Sequence, residues 1–278
     1  MDDTHKLPLP ERSQNLLDEM AQRVIVADGA MGTMLQDAGP TMEDFQGLEG
    51  CNEILNVTRP DIVTAVHDAY FEVGVDCVET NTFGANWSNL SDYDIEERIE
   101  ELAEAGARIA REGAERWEKD DSRQRWVLGS IGPGTKLPSL GHTTYSFLKS
   151  TFERQAEGLL KGGADAFMVE TSQDLLQTKA AINGCKDAMR AAGTRLPLFV
   201  EVTVEATGTM LMGSEINAAL TALEPLSIDM IGLNCATGPQ EMSEHLRQLS
   251  RHSEIPVMVM PNAGLPVLTA TGASYPLG

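Results

Sequence analysis

Short apolar runs alternate with longer stretches of helical spacing along almost the whole chain. The run at 24–28 follows residues 11–22, where Leu16, Leu17 and Met20 recur at the spacing of a short helix. Further runs lie at 76–82, 126–134 with its turn, 166–172, 196–204, 229–235 and 256–264. Rich in Val, Ile, Leu and Met, they read as seven buried strands. Between them the spacing predicts helices over 60–73, 95–117, 145–160, 175–192, 215–223 and 241–251. Thr58 is the expected N-cap of the first, with Pro60 in its first turn and Val73 on its apolar face. Residues 36–57 read as irregular.

Alternating strands and helices argue for a parallel α/β sheet. Serial βα units are marked by a repeated Gly-x-Asp link, Gly74-Val75-Asp76 and Gly163-Ala164-Asp165, with Ser227-Ile228-Asp229 as a looser copy. The strands end in polar residues: Asp28, Glu79 with Asn81, Glu170, Glu201 with Thr203, Asn234 with Cys235, and Asn262. Acids and amides gathered at strand ends are what the active face of a (β/α)8 TIM barrel looks like. The competing fold, an open doubly wound sheet, favours a GxGxxG turn after its first strand, and GAMGTM does not have that spacing. The seven strands fall one short of a closed barrel. The expectation is an incomplete barrel over 24–278, cut at its C-terminus, preceded by an extension and helix over 1–23.

Composition narrows the class. Acidic residues number 42 against 21 basic ones, a net charge of -21. That balance disfavours nucleic acid and anionic membrane as partners. No apolar stretch is long enough for a membrane span, and the first residues carry no signal-peptide run. The cysteines, Cys51, Cys77, Cys185 and Cys235, are widely spaced with no CxxC pair, which points to a reducing cytoplasm.

The candidate chemistry sits at the strand ends. In DGAMGT, residues 28–33, Gly29 and Gly32 let backbone N–H groups approach a carboxylate, and Asp28 suits an ammonium. The same glycines also serve a plain tight strand exit. ETNTF and VETSQD each place a glutamate, Glu79 and Glu170, at a strand end. Burying such a group unpaired is costly, so two of them with Asp28 suggest a cationic ligand. Helix capping by Thr171 or Ser172 is the plainer alternative. Cys235 could bind a soft metal such as zinc, or be an inert buried thiol. The histidines show no metal-ligand spacing; His67 and His245 fall in helices as surface or packing residues, and His142 borders the mouth. Met31 and Met34 read as packing residues.

DGAMGTML, ETNTFGAN, SIGPGTKLP, VETSQDLLQ, IGLNCATGP and MPNAGLP, in this order, resemble the homocysteine S-methyltransferase family, from about Val24 onward. The resemblance implies a (β/α)8 barrel with homocysteine at the strand C-terminal face. It implies a zinc ion held by three cysteines, of which Cys235 is one; the sequence has no cysteine after it. Substrate contacts then fall on Asp28, Gly29, Ala30, Met31, Gly32 and Glu170, with Glu79, Asn81 and Asn234 supporting. Zinc would turn the substrate thiol into a thiolate that accepts a methyl group. In the modular branch of the family the donor is methylcobalamin, with cobalamin and folate modules expected downstream. Other members use betaine or S-methylmethionine.

The expectation is therefore a methyltransferase module, inactive as it stands because two zinc ligands are missing. A barrel remnant kept as a binding or interaction protein is the second reading. A metal-independent lyase or aldolase is disfavoured, because no lysine falls at a strand end.

Overall fold

The computed structural model describes residues 3–265, 267–269 and 272–274. Six parallel strands form one sheet: β1 (Cys77–Glu79), β2 (Trp126–Ile131), β3 (Ala166–Ser172), β4 (Leu198–Val202), β5 (Met230–Asn234) and β6 (Val257–Met260). Their order in the sheet is their order in the chain, and the sheet curls into part of a barrel. A two-stranded antiparallel ribbon, β7 (Val267–Thr269) and β8 (Gly272–Ser274), follows. The helices are α1 (Glu11–Met20), α2 (Met31–Asp37), α3 (Leu55–Thr58), α4 (Pro60–Glu72), α5 (Trp87–Leu90), α6 (Ile99–Asp121), α7 (Tyr145–Gly162), α8 (Leu175–Ala192), α9 (Ile216–Leu223) and α10 (Pro239–His252).

The predicted elements at 166–172 and 175–192 fall on β3 and α8 without adjustment. The first predicted strand does not form. Residues 24–28 contribute a single parallel bridge, Ala27 to Cys77, with Val24 83% and Val26 52% exposed. Val26 O accepts from the N–H groups of Asp76 and Cys77, while the Asp76 carboxylate takes the Val26 N–H. The segment is tied to one neighbour and, among the described residues, to no strand on its other side, so its hydrogen bonding never becomes a ladder. Three local readings also change. Arg59, not Thr58, is the N-cap of α4; Thr58 Oγ1 donates to Ile54 O at 3.1 Å and closes α3 instead. Val73 is exposed beyond the end of α4. The charged helix α6 runs Ile99–Asp121, later than 95–117, because residues 96–98 form a separate 3-10 turn.

Strand alternation sorts side chains onto two faces. On the outer face, Phe167, Val169, Leu198, Val200, Val202, Ile231 and Leu233 pack on the helices as the main core. On the inner face, Cys77, Trp126, Leu128, Ala166, Met168, Phe199 and Met230 form an apolar layer. Leu16 of α1 fills the bottom of that layer. Ser13 Oγ donates to Asp165 O at 2.6 Å, and Trp126 Nε1 donates to Arg12 O at 3.0 Å, so α1 is fixed to the strand N-termini.

The Gly-x-Asp links act at the same end. Asp76 accepts from Val26 N, Asp165 from Val127 N and Asp229 from Leu198 N, each bond reaching back to the neighbouring strand or segment. Each carboxylate also meets arginine: Arg23 and Arg123 at Asp76, Arg12 and Arg111 at Asp165, Arg195 at Asp229. A charged bond to a backbone N–H thus fixes the stagger of successive strands.

Candidate active site

Two residues above the apolar layer, the inner row turns polar. Glu79, Ser130, Glu170, Glu201 and Asn234 face the concave side at the strand C-termini. Asp28, at the end of the bridged segment, joins them: its N–H donates to Cys77 O at 3.1 Å and its Oδ1 accepts from Glu79 N at 2.9 Å. The folded chain therefore brings Asp28, Glu79, Glu170 and Asn234 together, as the motifs suggested.

Hydrogen bonds order this layer. Glu170 Oε1 accepts from Ser130 Oγ, and Glu170 Oε2 from Asn234 Nδ2 at 3.2 Å. Asn234 Nδ2 also donates to Thr171 Oγ1 at 2.8 Å, and Asn234 Oδ1 accepts from Thr171 N at 2.9 Å. Thr171 Oγ1 lies 3.6 Å from Cys235 Sγ. A chain of contacts thus runs from Ser130 through Glu170, Asn234 and Thr171 to the thiol. Thr171, Cys235 and Ala236 sit at φ 55°, 57° and 56°. Left-handed backbone at non-glycine residues costs about 1–3 kcal/mol each and collects at functional sites. At Thr171 it coincides with the register break between Val169 and Ser172. Neither Thr171 nor Ser172 caps α8; that cap is Asp174, whose side chain accepts from Leu176 N and Gln177 N.

Acceptor capacity is left over. Asp28 Oδ2, Glu79 Oε1 and both oxygens of Glu201 are buried with no partner. Burial raises the pKa of Asp28, and the charge of Glu170 adds to it. Glu79 is raised by burial and by Glu170, Asp28 and Glu201. Glu170 is pushed up to about 7 by burial, and Glu201 is raised by burial and Glu170. The Cys235 thiol is raised by burial, with Glu170 and Glu201 adding to the shift. Burial thus works against ionisation across the layer, and a cation bound there would work the other way.

Not every expected residue points here. Asn81 Nδ2 donates to Asn52 O and Asn56 Oδ1, both at 2.9 Å, so its amide holds the loop behind the site. His142 Nδ1 accepts from Leu137 N and shapes its own loop. Met31 and Met34 pack beside Leu35 and Leu55. Gly29, Ala30, Met31 and Gly32 lead from Asp28 into the first turn of α2, where backbone N–H groups lack helical acceptors. Glu201 was visible in the sequence as one acid inside an apolar strand, but only the alternation with Phe199 and Thr203 shows that it faces the site.

The donor set does not fit a zinc centre. Among the described residues no three Cys, His, Asp or Glu side chains are grouped to hold a metal. Cys235 is the one thiol at the mouth; Cys51, Cys77 and Cys185 are buried, and all four are free. No helix of the described residues is long and apolar enough to cross a membrane.

The family model described as homocysteine S-methyltransferase matches residues 25–277. Proteins named methionine synthase from Mycobacterium tuberculosis and Mycobacterium leprae are each 64% identical over 263 residues, 95% of this chain and 22% of the relative. The chain thus spans about a fifth of the length of those curated relatives. The metallated homocysteine methyltransferase MmuM from Escherichia coli matches in structure with a TM-score of 0.75 at 21% identity, over 91% of this chain and 88% of that one. Its apo form gives a TM-score of 0.71 at 21% identity, over 91% and 86%. The likeness extends to the barrel-type arrangement of the curled sheet.

Proposed function

Because the chain belongs to the homocysteine S-methyltransferase family, we propose that it is the homocysteine-binding module of a methyltransferase that forms methionine. The observation that carries this reading is the buried carboxyl layer at the strand C-termini, with free acceptor oxygens on Asp28 and Glu79, reached by hydrogen bonds from Glu170 to Cys235. An α-amino acid supplies the ammonium that these acceptors lack. Its carboxylate lies against the backbone N–H groups of Gly29, Ala30, Met31 and Gly32. Its thiol then faces Cys235.

In the reaction, the substrate thiol releases its proton to the buffer, and its sulfur forms a bond to an electrophilic methyl carbon as the bond from methyl to donor breaks and its electron pair stays with the donor. This chain's part is to bind the amino-acid end, orient the sulfur and exclude water. Methylcobalamin carried by a further module fits the role of donor, consistent with relatives much longer than this chain. Cys235 is one thiol, two short of a three-thiolate zinc centre among the described residues. No step is assigned to the metal. The four free cysteines suit a reducing, cytoplasmic setting. The remnant reading is weaker, because a layer of unpaired buried acids is costly to retain without a ligand.

Calorimetric titration tests this. Homocysteine is expected to bind the chain, and Asp28→Asn to weaken binding about 10- to 100-fold, the loss of one charged hydrogen bond. Zinc alone is expected not to bind tightly and stoichiometrically. Absence of homocysteine binding, or binding indifferent to Asp28→Asn, would refute the assignment.

A further inference from the structure

Among the inner-face acids of the site, Glu201 is 1% exposed and has neither oxygen hydrogen-bonded. Glu170 has both oxygens engaged, by Ser130 and Asn234. Asp28 has one engaged, by the Glu79 N–H. Glu201 is thus the acid of the layer with both oxygens buried and unbonded.

Its surroundings offer no donor. Glu201 pairs in register with Gly232 of β5, and Phe199 lies two residues earlier on the same face. The apolar layer of Met168, Phe199 and Met230 closes the site below it. Gly232 makes the space: a Cβ there would stand 2.9 Å from Glu201 Oε1 and 2.7 Å from Met258 O. Any other residue would push the carboxyl from its seat. Glu201 stands on the same concave face as Glu79, Glu170 and Asn234, at the strand C-termini.

A carboxyl group buried without a donor is costly, by about 1–3 kcal/mol or more. A ligand that brings N–H donors and positive charge removes that cost. An ammonium has three N–H groups to place. Asp28 Oδ2 and Glu79 Oε1 are two free acceptors. Glu201 has two more.

We propose that Glu201 contacts the ligand's α-ammonium directly, seated over Gly232, and so makes the site specific for an amino acid over a simple thiol acid. The proposal rests on the homocysteine reading of the same site. It assigns a specificity role to a residue that the motifs did not tie to substrate.

The test is a cycle of two proteins and two ligands. The ligands are homocysteine and its desamino analogue, with hydrogen in place of the amino group. The proteins are wild type and Glu201→Gln, which keeps the shape and loses the charge. Wild type is expected to prefer homocysteine, and Glu201→Gln to lose about 10- to 100-fold of that preference. The affinity for the desamino analogue should stay the same. Thermal unfolding of the variant serves as the check on folding. Equal weakening of both ligands by Glu201→Gln would overturn the proposal, since a purely structural role does that. Loss of no preference would overturn it as well. If wild type binds neither ligand, the homocysteine reading itself fails, which is a separate result.

Discussion

His67 lies in α4, fully buried, with neither ring nitrogen hydrogen-bonded. Burial lowers its pKa to about 4, against the small opposing pull of Asp68. The folded state therefore takes up the proton later than the unfolded chain as pH falls. Stability is fully present above about pH 6.5 and is lost as pH drops through about pH 4, by roughly 3 kcal/mol. His67→Leu should remove that acid sensitivity, read as a smaller fall in urea midpoint over this window. An unchanged fall would mean that other groups carry it. The sequence placed His67 in a helix as a surface or packing residue; its neighbours in space, α6 among them, decide that it packs. Glu201 has the same history. One acid in an apolar strand is plain in the sequence, whereas its lack of partners depends on what four other strands present.

At the scale of elements, alternation along the chain was enough to find β3, α8 and most of the other units. The Gly-x-Asp link was also legible, but its work was not. The structure shows Asp165 joined to Val127 N and to two arginines that come from α1 and α6. Removing one partner of a buried ion pair strands the others. Asp165→Ala should therefore cost on the order of 3–5 kcal/mol in chemical denaturation. Asp61→Ala, at an exposed pair with Arg59, should leave the denaturation midpoint almost unchanged. Similar losses at the two sites would show that the link is a sequence habit and not a staple. Close packing is the other element-scale feature: a Cβ on Gly158 of α7 would stand 2.6 Å from Glu100 O of α6. Helical spacing locates both helices and does not reveal how near they come.

Over the whole molecule, α1 closes the bottom of the curled sheet. Leu16 is 1% exposed, although the sequence sets its helix apart from the strands that follow. Leu16→Ala should cost about 2–5 kcal/mol, the range for a buried leucine that leaves a cavity. A change under about 0.5 kcal/mol, typical of surface sites, would mean that α1 only rests on the barrel. The net charge of -21 acts at this scale too. It opposes compaction, and the site's buried acids are part of it.

The parallel α/β pattern, the placement of Glu79, Glu170, Asn234 and Cys235 at strand ends, and the family are all legible in the sequence. Each follows from local order: period 2 against period 3.6, and motifs that read along the chain. Tertiary structure alone decided that residues 24–28 form a bridge and not a strand, that Asn81 serves its loop, and that Glu201 lacks a partner. Those outcomes depend on which groups meet across the sheet. Hydrogen bonding and desolvation are settled between residues far apart in sequence, where no local pattern reports them.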